Sequence, residues 1–246
     1  MNADTPGPSR FSAPQSEEQL RHTEKMIALG ELVAGVAHEI NNPLTGISAF
    51  AQMLLEDALT EDQRESVQVI KQEVDRAKHI INDLLLFSRA TGRGFGPVRI
   101  NDLLAQTVRL RAYPLRNAGV EVQLDLDPSN PAVTADAQQL QQVLLNVVSN
   151  AEQAMHGRAT RVLHLRTRVE DAVVRIAAQD TGSGMSAEVR RRLFEPFFTT
   201  RPEGHATGLG MSVSYGIIQA HGGTIDVDSE PEVGTTITIA LPAVST

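Results

Sequence analysis

The sequence predicts an α+β protein in two parts, a helical hairpin followed by an α/β sandwich. Three observations lead there. Apolar residues recur at spacings of three and four from Met26 to Leu54, and again from Val67 to Leu84. A stretch rich in glycine with one proline, residues 90–97 (ATGRGFGP), then interrupts the pattern. Beyond it, short runs of strand-forming residues alternate with helical segments.

Residues 1–16 are rich in Pro, Ser, Gly and Asn and read as a flexible leader. From Glu17 the pattern is helical. Met26, Leu29, Val33, Val36, Ile40, Leu44, Ile47, Ala51 and Leu54 form one seam; Val67, Ile70, Val74, Ala77, Ile81 and Leu84 form a second. Leu59 to Gln63 supplies the turn between them, with Thr60 as N-cap of the second helix. An antiparallel hairpin over residues 17–91 follows. Alone it buries too little, so two hairpins are expected to pair into a dimeric four-helix bundle. The linker is 92–97 and the second unit is 98–246. In that unit, strands are expected at 120–126, 161–169, 172–178, 224–228 and 235–241, and helices at 102–117, 136–155 and 208–221. Together they make a mixed sheet with helices on one face.

Composition narrows the function. The 246 residues hold 41% hydrophobic side chains, enough to build real cores, and carry a net charge of −8 without a dense Lys/Arg run. Neither nucleic acid nor an anionic membrane is an expected partner. The absence of cysteine excludes disulfides and thiolate metal sites. No apolar run reaches the roughly 18 residues of a membrane span, and no signal-peptide core opens the chain, so a cytoplasmic location is expected.

The first helix contains Ala37-His38-Glu39-Ile40-Asn41-Asn42-Pro43-Leu44. His38 lies about 200° from both Val36 and Ile40 around the helix, facing away from the seam. An exposed imidazole is free to act as a nucleophile toward phosphorus. Glu39 can hold the proton of one ring nitrogen and raise the nucleophilicity of the other. Pro43 is expected to bend the helix one turn later. The zinc-protease pattern His-Glu-x-x-His fails, because position 42 is Asn. Asn42 is one turn beyond His38 on the same face, where its amide can hold a water.

Three further constellations follow in order. Asn146 and Asn150 are four apart on one helix face, and two such amides can coordinate Mg²⁺ and its waters. Asp180-Thr181-Gly182-Ser183-Gly184 follows a strand; a carboxylate there, with glycines letting the chain pass close by, suits the adenine amino group. Thr207-Gly208-Leu209-Gly210 opens a helix whose free N–H groups can hold phosphates. Between them, Phe194-Glu195-Pro196-Phe197-Phe198-Thr199-Thr200-Arg201 reads as the anchor of a mobile lid, the adjacent phenylalanines holding it and Thr200 and Arg201 near the phosphates.

With these residues in place, the chain resembles the transmitter of a two-component sensor histidine kinase. His38 to Pro43 resembles the H box, Asn146 to Asn150 the N box, Asp180 to Gly184 the G1 box, Phe194 to Phe198 the F box, and Gly204 to Gly210 the G2 box. The resemblance covers about residues 25–242 and implies a dimeric phosphoacceptor hairpin followed by a Bergerat-type ATP-binding domain. It implies ATP as phosphoryl donor, His38 as acceptor and Asn150 as the Mg²⁺ ligand. In ATPases of that superfamily a water-activating glutamate stands at the place of Asn146, so an amide there fits a kinase. A regulator's receiver aspartate is the expected destination of the phosphoryl group, with Asn42 serving the reverse dephosphorylation, as at that spacing in many relatives. The G2 box departs from the family's Gly-x-Gly-Thr-Gly-Leu-Gly at Ala206, which bears on lid motion. A nucleotide-driven conformational clamp and a non-catalytic dimeric scaffold are the competing readings. Asn146 and His38 speak against the first, and the intact N and G1 boxes against the second.

Overall fold

The structure, a computed structural model, describes residues 40–88, 94–201 and 207–244. The leader, His38, Glu39, the seam positions before Ile40, and Gly204 to Ala206 lie outside the described residues.

Helix α1 (40–56) runs unbroken through Pro43, and α2 (Glu61–Ser88) follows a short turn. Thr60 caps α2 as its sequence position predicts. The Gln63 N–H donates to Thr60 Oγ1 at 3.3 Å, and the Thr60 N–H donates to Gln63 Oε1 at 3.0 Å. These reciprocal bonds satisfy backbone donors that the first turn of any helix leaves over. Val67, Val74 and Ile81, spaced by sevens along α2, are buried with Ala51 of α1. Ile47, Leu54 and Ile70, also assigned to the seams, remain exposed in the single chain.

Strand β1 (Gly96–Arg99) begins inside the stretch read as linker. It pairs antiparallel with β3 (Ala132–Ala135) in a small sheet that the sequence did not suggest. The segment expected as one helix over 102–117 is two, α3 (Ile100–Leu110) and α4 (Ala112–Asn117), parted at Arg111. Pro114 explains the break: it removes a backbone donor and its ring clashes with the preceding turn, so it is tolerated only in the first turn of a new helix.

The main sheet is mixed, in the order β2-β4-β5-β7-β6, formed by β2 (Glu121–Asp125), β4 (Val162–Glu170), β5 (Val173–Asp180), β6 (Thr224–Glu230) and β7 (Gly234–Pro242). β2 runs parallel to β4 and the other pairs are antiparallel. Along β7 every second residue from Thr235 to Leu241 is buried, the alternation of a sheet covered on one face. The cover is helical: α5 (Ala137–Ala154) lies between α3 and α7 (Gly210–Ala220), over β5. Short α6 (Ala187–Arg192) leans on β6, and α2 runs against α7.

One buried node sets the angle between the two helices that matter for the site. Asp136 caps α5, its Oδ1 accepting from the N–H groups of Gln138 (2.9 Å) and Gln139 (3.2 Å). Its own N–H donates to Nε2 of His221 at 3.0 Å, and Nδ1 of that ring lies 2.7 Å from the Ile217 carbonyl near the end of α7. Phe95 stacks on the imidazole with ring centroids 4.6 Å apart. The start of α5 and the end of α7 are thereby tied, and their opposite ends converge on one cavity. Among the described residues, no helix is long and apolar enough to cross a membrane.

Candidate functional site: a nucleotide-shaped cavity between α5 and α7

The cavity has a volume of about 420 Å³ and is lined by Asn146, Asn150, Asp180, Gly184, Thr200, Arg201, Thr207, Gly208 and Gly210, with apolar neighbours. The three constellations separated in sequence therefore meet in space. Gly182 and Leu209 do not line it. The Gly182 N–H serves Asp180 instead, and the Leu209 side chain is buried in the core while its N–H donates to Thr207 Oγ1 at 3.1 Å. A direct contact from the Leu209 side chain to a nucleotide is thus replaced by a structural one: it anchors the start of α7.

Asp180 is the buried carboxylate of the lining. It is the last residue of β5, paired across the ladder with Leu163 on β4 and Thr235 on β7. Only 7% of it is exposed, and burial pushes its carboxyl from the ordinary 3.8 up to about 6; backbone hydrogen bonds from Gly182 and Thr235 offset part of that shift. The Gly182 N–H donates to Oδ1 at 2.8 Å, which leaves acceptor capacity on the carboxylate for a donor in the cavity. Gly184 lets the chain turn beneath it. Its φ is +63°, and a Cβ would fall 1.9 Å from the Glu230 carbonyl oxygen.

The two asparagines of α5 diverge in role. Asn146 Nδ2 donates to the Gly210 carbonyl (3.0 Å) and to Ser214 Oγ (3.2 Å), and its Oδ1 accepts from Gln142 Nε2 at 3.1 Å. It is a rivet between α5 and the first turn of α7, so the pair does not present two amides to a metal. Asn150 points into the cavity instead. Its Oδ1 faces a cation, Arg201 Nη2 at 3.2 Å. Burial lowers the pKa of that guanidinium.

The N-terminus of α7 also lines the cavity, and unpaired backbone N–H groups at such an end favour anions. Gly208 enters this turn at φ +67°, and a Cβ there would fall 2.4 Å from the Phe197 carbonyl carbon. The adjacent phenylalanines do not anchor the loop together, as expected from sequence. Phe198 lines the cavity under the Arg192 guanidinium, 4.2 Å from its ring centroid, but Phe197 is 60% exposed with φ +62°. Phe194 is the second anchor, packed against Tyr215 of α7.

Sequence reasoning missed several residues. Gln142 and Ser214 were visible in principle, lying one helical turn from Asn146 and Gly210. Met185, Val189 and Leu193 form an apolar wall spaced by fours, also a readable signal. Thr235 reaches Asp180 only through the β5–β7 register, which leaves no local trace.

A nucleotide and its metal fit these groups. A buried acceptor for a base and a helix N-terminus for phosphates line the same cavity. In it, an amide oxygen already holds a positive group. No group of three or more His, Asp or Glu able to hold a metal occurs among the described residues, so a cation here would share its coordination with phosphate oxygens.

Comparison with known proteins agrees with this geometry. Residues 28–93 match the His Kinase A (phospho-acceptor) domain family, and residues 135–245 match the histidine kinase-, DNA gyrase B- and HSP90-like ATPase family. The chain is 36% identical over 233 residues to the signal transduction histidine-protein kinase AtoS of Escherichia coli strain K12, covering 93% of this chain and 37% of AtoS. It is 35% identical over 229 residues to the sensor histidine kinase ZraS of the same strain, covering 92% and 48%. The chain thus spans between about a third and a half of these relatives. Among solved structures, full-length ShkA in complex with AMPPNP superposes with a TM-score of 0.74 at 28% identity, over 89% of this chain and 47% of ShkA. The histidine kinase ThkA in complex with the response regulator protein TrrA gives 0.64 at 27% identity, over 96% and 68%.

Proposed function

Because the chain belongs to the family of two-component histidine kinase transmitters, we propose that it binds ATP between α5 and α7, transfers the γ-phosphoryl group to His38, and passes it to an aspartate of a response regulator. The observation that carries this reading is the cavity lined both by the buried carboxylate of Asp180 and by the start of α7. Such a pair suits a nucleotide, base on the carboxylate and phosphates on the helix N-terminus.

Each residue has a defined task in that arrangement. The Asp180 carboxylate accepts the adenine amino group, a hydrogen bond to a charged acceptor worth about 1.5–3 kcal/mol. The N–H groups around Thr207, Gly208 and Gly210 receive the phosphates, and Thr200 and Arg201 flank them. Asn150 Oδ1 holds Mg²⁺, whose charge would neutralise the triphosphate and withdraw electrons from the leaving group. Asn146 keeps α7 in register with α5 and has no basic atom with which to activate water, which favours transfer over hydrolysis. His38 attacks the γ-phosphorus through one ring nitrogen as the bond to the β–γ bridging oxygen breaks and ADP leaves, while Glu39 holds the proton of the other nitrogen. Positioning and electrostatics carry most phosphoryl transfer, so few groups suffice.

The hairpin is the dimerisation element of this proposal. Ile40, Ile47 and Leu54 recur at intervals of seven along α1 and stay 40%, 44% and 45% exposed, as a seam does when its covering surface belongs to a second copy. Asn42, exposed on the same helix, supports hydrolysis of the regulator's aspartyl phosphate by holding a water in line. Asn42→Ala separates the two activities. It should leave autophosphorylation intact and lower phosphate release from the regulator; equal loss of both would assign Asn42 to helix structure only.

Incubation with γ-labelled ATP tests the proposal as a whole. Label bound to protein, labile in acid and stable in base, is the expected result. Label released as free phosphate would favour the clamp-type ATPase, and neither outcome would favour the scaffold.

A further inference from the structure

Arg201 occupies an unusual place for a guanidinium. It lines the cavity, half-buried, and its side chain donates to the Oδ1 of Asn150, a neutral amide, at 3.2 Å. None of the ion pairs among the described residues includes it. Its backbone N–H is held by Thr199 Oγ1 at 3.1 Å, which fixes where the side chain starts. A positive group without a carboxylate partner among the described residues, aimed at an uncharged oxygen inside a polar cavity, is placed for an anion that arrives later.

We propose that Arg201 is the stand-in for the divalent cation at Asn150: guanidinium and metal are alternative occupants of the same amide oxygen. The inference rests on the reading of Asn150 as the metal ligand. The physical grounds are charge and reach. An amide oxygen that coordinates a divalent ion at roughly 2.0–2.1 Å cannot also keep a guanidinium at hydrogen-bond distance, because the two cations repel at that separation. Nucleotide entering with its metal displaces Arg201 from Asn150, a displacement whose cost offsets part of what the metal adds. Nucleotide entering without metal finds Arg201 already in place as the cation. Arg201 therefore supports metal-free binding more than metal-loaded binding, and it reduces the gain in affinity that Mg²⁺ provides.

Calorimetric titration with a non-hydrolysable ATP analogue, in excess Mg²⁺ and in excess chelator, reads this gain as a ratio of dissociation constants. Arg201→Met keeps the length and removes the charge. Metal-free affinity should fall by about tenfold, the loss expected for a charge-assisted hydrogen bond, while Mg²⁺-supported affinity falls much less, so the ratio rises. Equal weakening in both conditions would overturn the inference. Arg201→Lys restores a cation and should return the ratio to within about twofold of the unsubstituted protein; a ratio like that of Arg201→Met would contradict a role based on charge. Asn150→Ala separates this idea from the one beneath it. If Mg²⁺ still improves binding in Asn150→Ala, the metal assignment falls and the inference with it. If the gain vanishes there but is unchanged in Arg201→Met, Asn150 stands and the stand-in role alone fails.

Discussion

The hairpin and the sandwich handle apolar residues in opposite ways. In the sandwich, Ile100, Val143 and Ile217 are fully buried and the helices seal one face of the sheet. In the hairpin, Phe50, Met53 and Val69 are more than half exposed, beside the heptad-spaced Ile40, Ile47 and Leu54. The sandwich finds its cover within its own chain. The hairpin leaves its cover to another surface. The same division runs through the chemistry: every group placed around the cavity belongs to the sandwich, and the proposed acceptor, His38, lies in the segment that matches the phospho-acceptor domain family.

The largest effect should come from the hairpin. Ile47→Glu places a carboxylate on the exposed seam, where dimerisation would bury it without a partner charge. That cost is several kcal/mol per ion, and the dimer dissociation constant should rise by about 100-fold or more. Sedimentation measures it, and nucleotide affinity should be unchanged. A dimer of undiminished strength would place the self-association surface elsewhere.

Asp180→Asn should separate binding from stability within the sandwich. The amide can donate as well as accept, so nucleotide affinity should drop by about 10-fold to 100-fold. Stability at neutral pH should rise instead. With the carboxyl held near 6 in the folded state against 3.8 ordinarily, the folded protein retains a proton between those values that the unfolded chain has released. Stability then falls as pH rises through that window, by roughly 3 kcal/mol in all, and is level above it. Denaturant titrations across pH 4–7 should show this slope in the unsubstituted protein and lose it in Asp180→Asn. Nucleotide affinity should weaken below about pH 6 in the unsubstituted protein, as the charged acceptor is protonated, with that component missing from the variant.

A smaller effect tests the turn between the helices. Thr60→Ala removes one half of the reciprocal cap and should cost about 1 kcal/mol. Thermal unfolding should report it in the hairpin transition, leaving the sandwich unaffected.

The sequence exposed some of this architecture and hid the rest for physical reasons. Thr60 was legible because a capping bond is local and its residue types are few. The strands of the main sheet were legible because one covered face enforces alternation, as along β7. β1 and β3 were hidden because four-residue strands carry too few positions to show a period, and β1 begins with Gly96 and Pro97. The break at Arg111 was overlooked although Pro114 announces it. In the site, Asp180, Gly208 and Arg201 were legible locally, whereas Thr235 enters through strand register and the contact of Arg201 with Asn150 through a bond spanning 51 residues. Asn146 was read as half of a pair because helical spacing shows which residues share a face; it does not show which neighbour will claim them.

The central claim is that the sandwich holds the phosphoryl donor and His38 receives the phosphoryl group. His38→Gln tests it in one paired measurement, nucleotide affinity by calorimetry and uptake of label from γ-labelled ATP on the same sample. The account predicts unchanged affinity and no protein-bound label. Label taken up at the normal rate by His38→Gln, or nucleotide binding lost with it, would contradict the account.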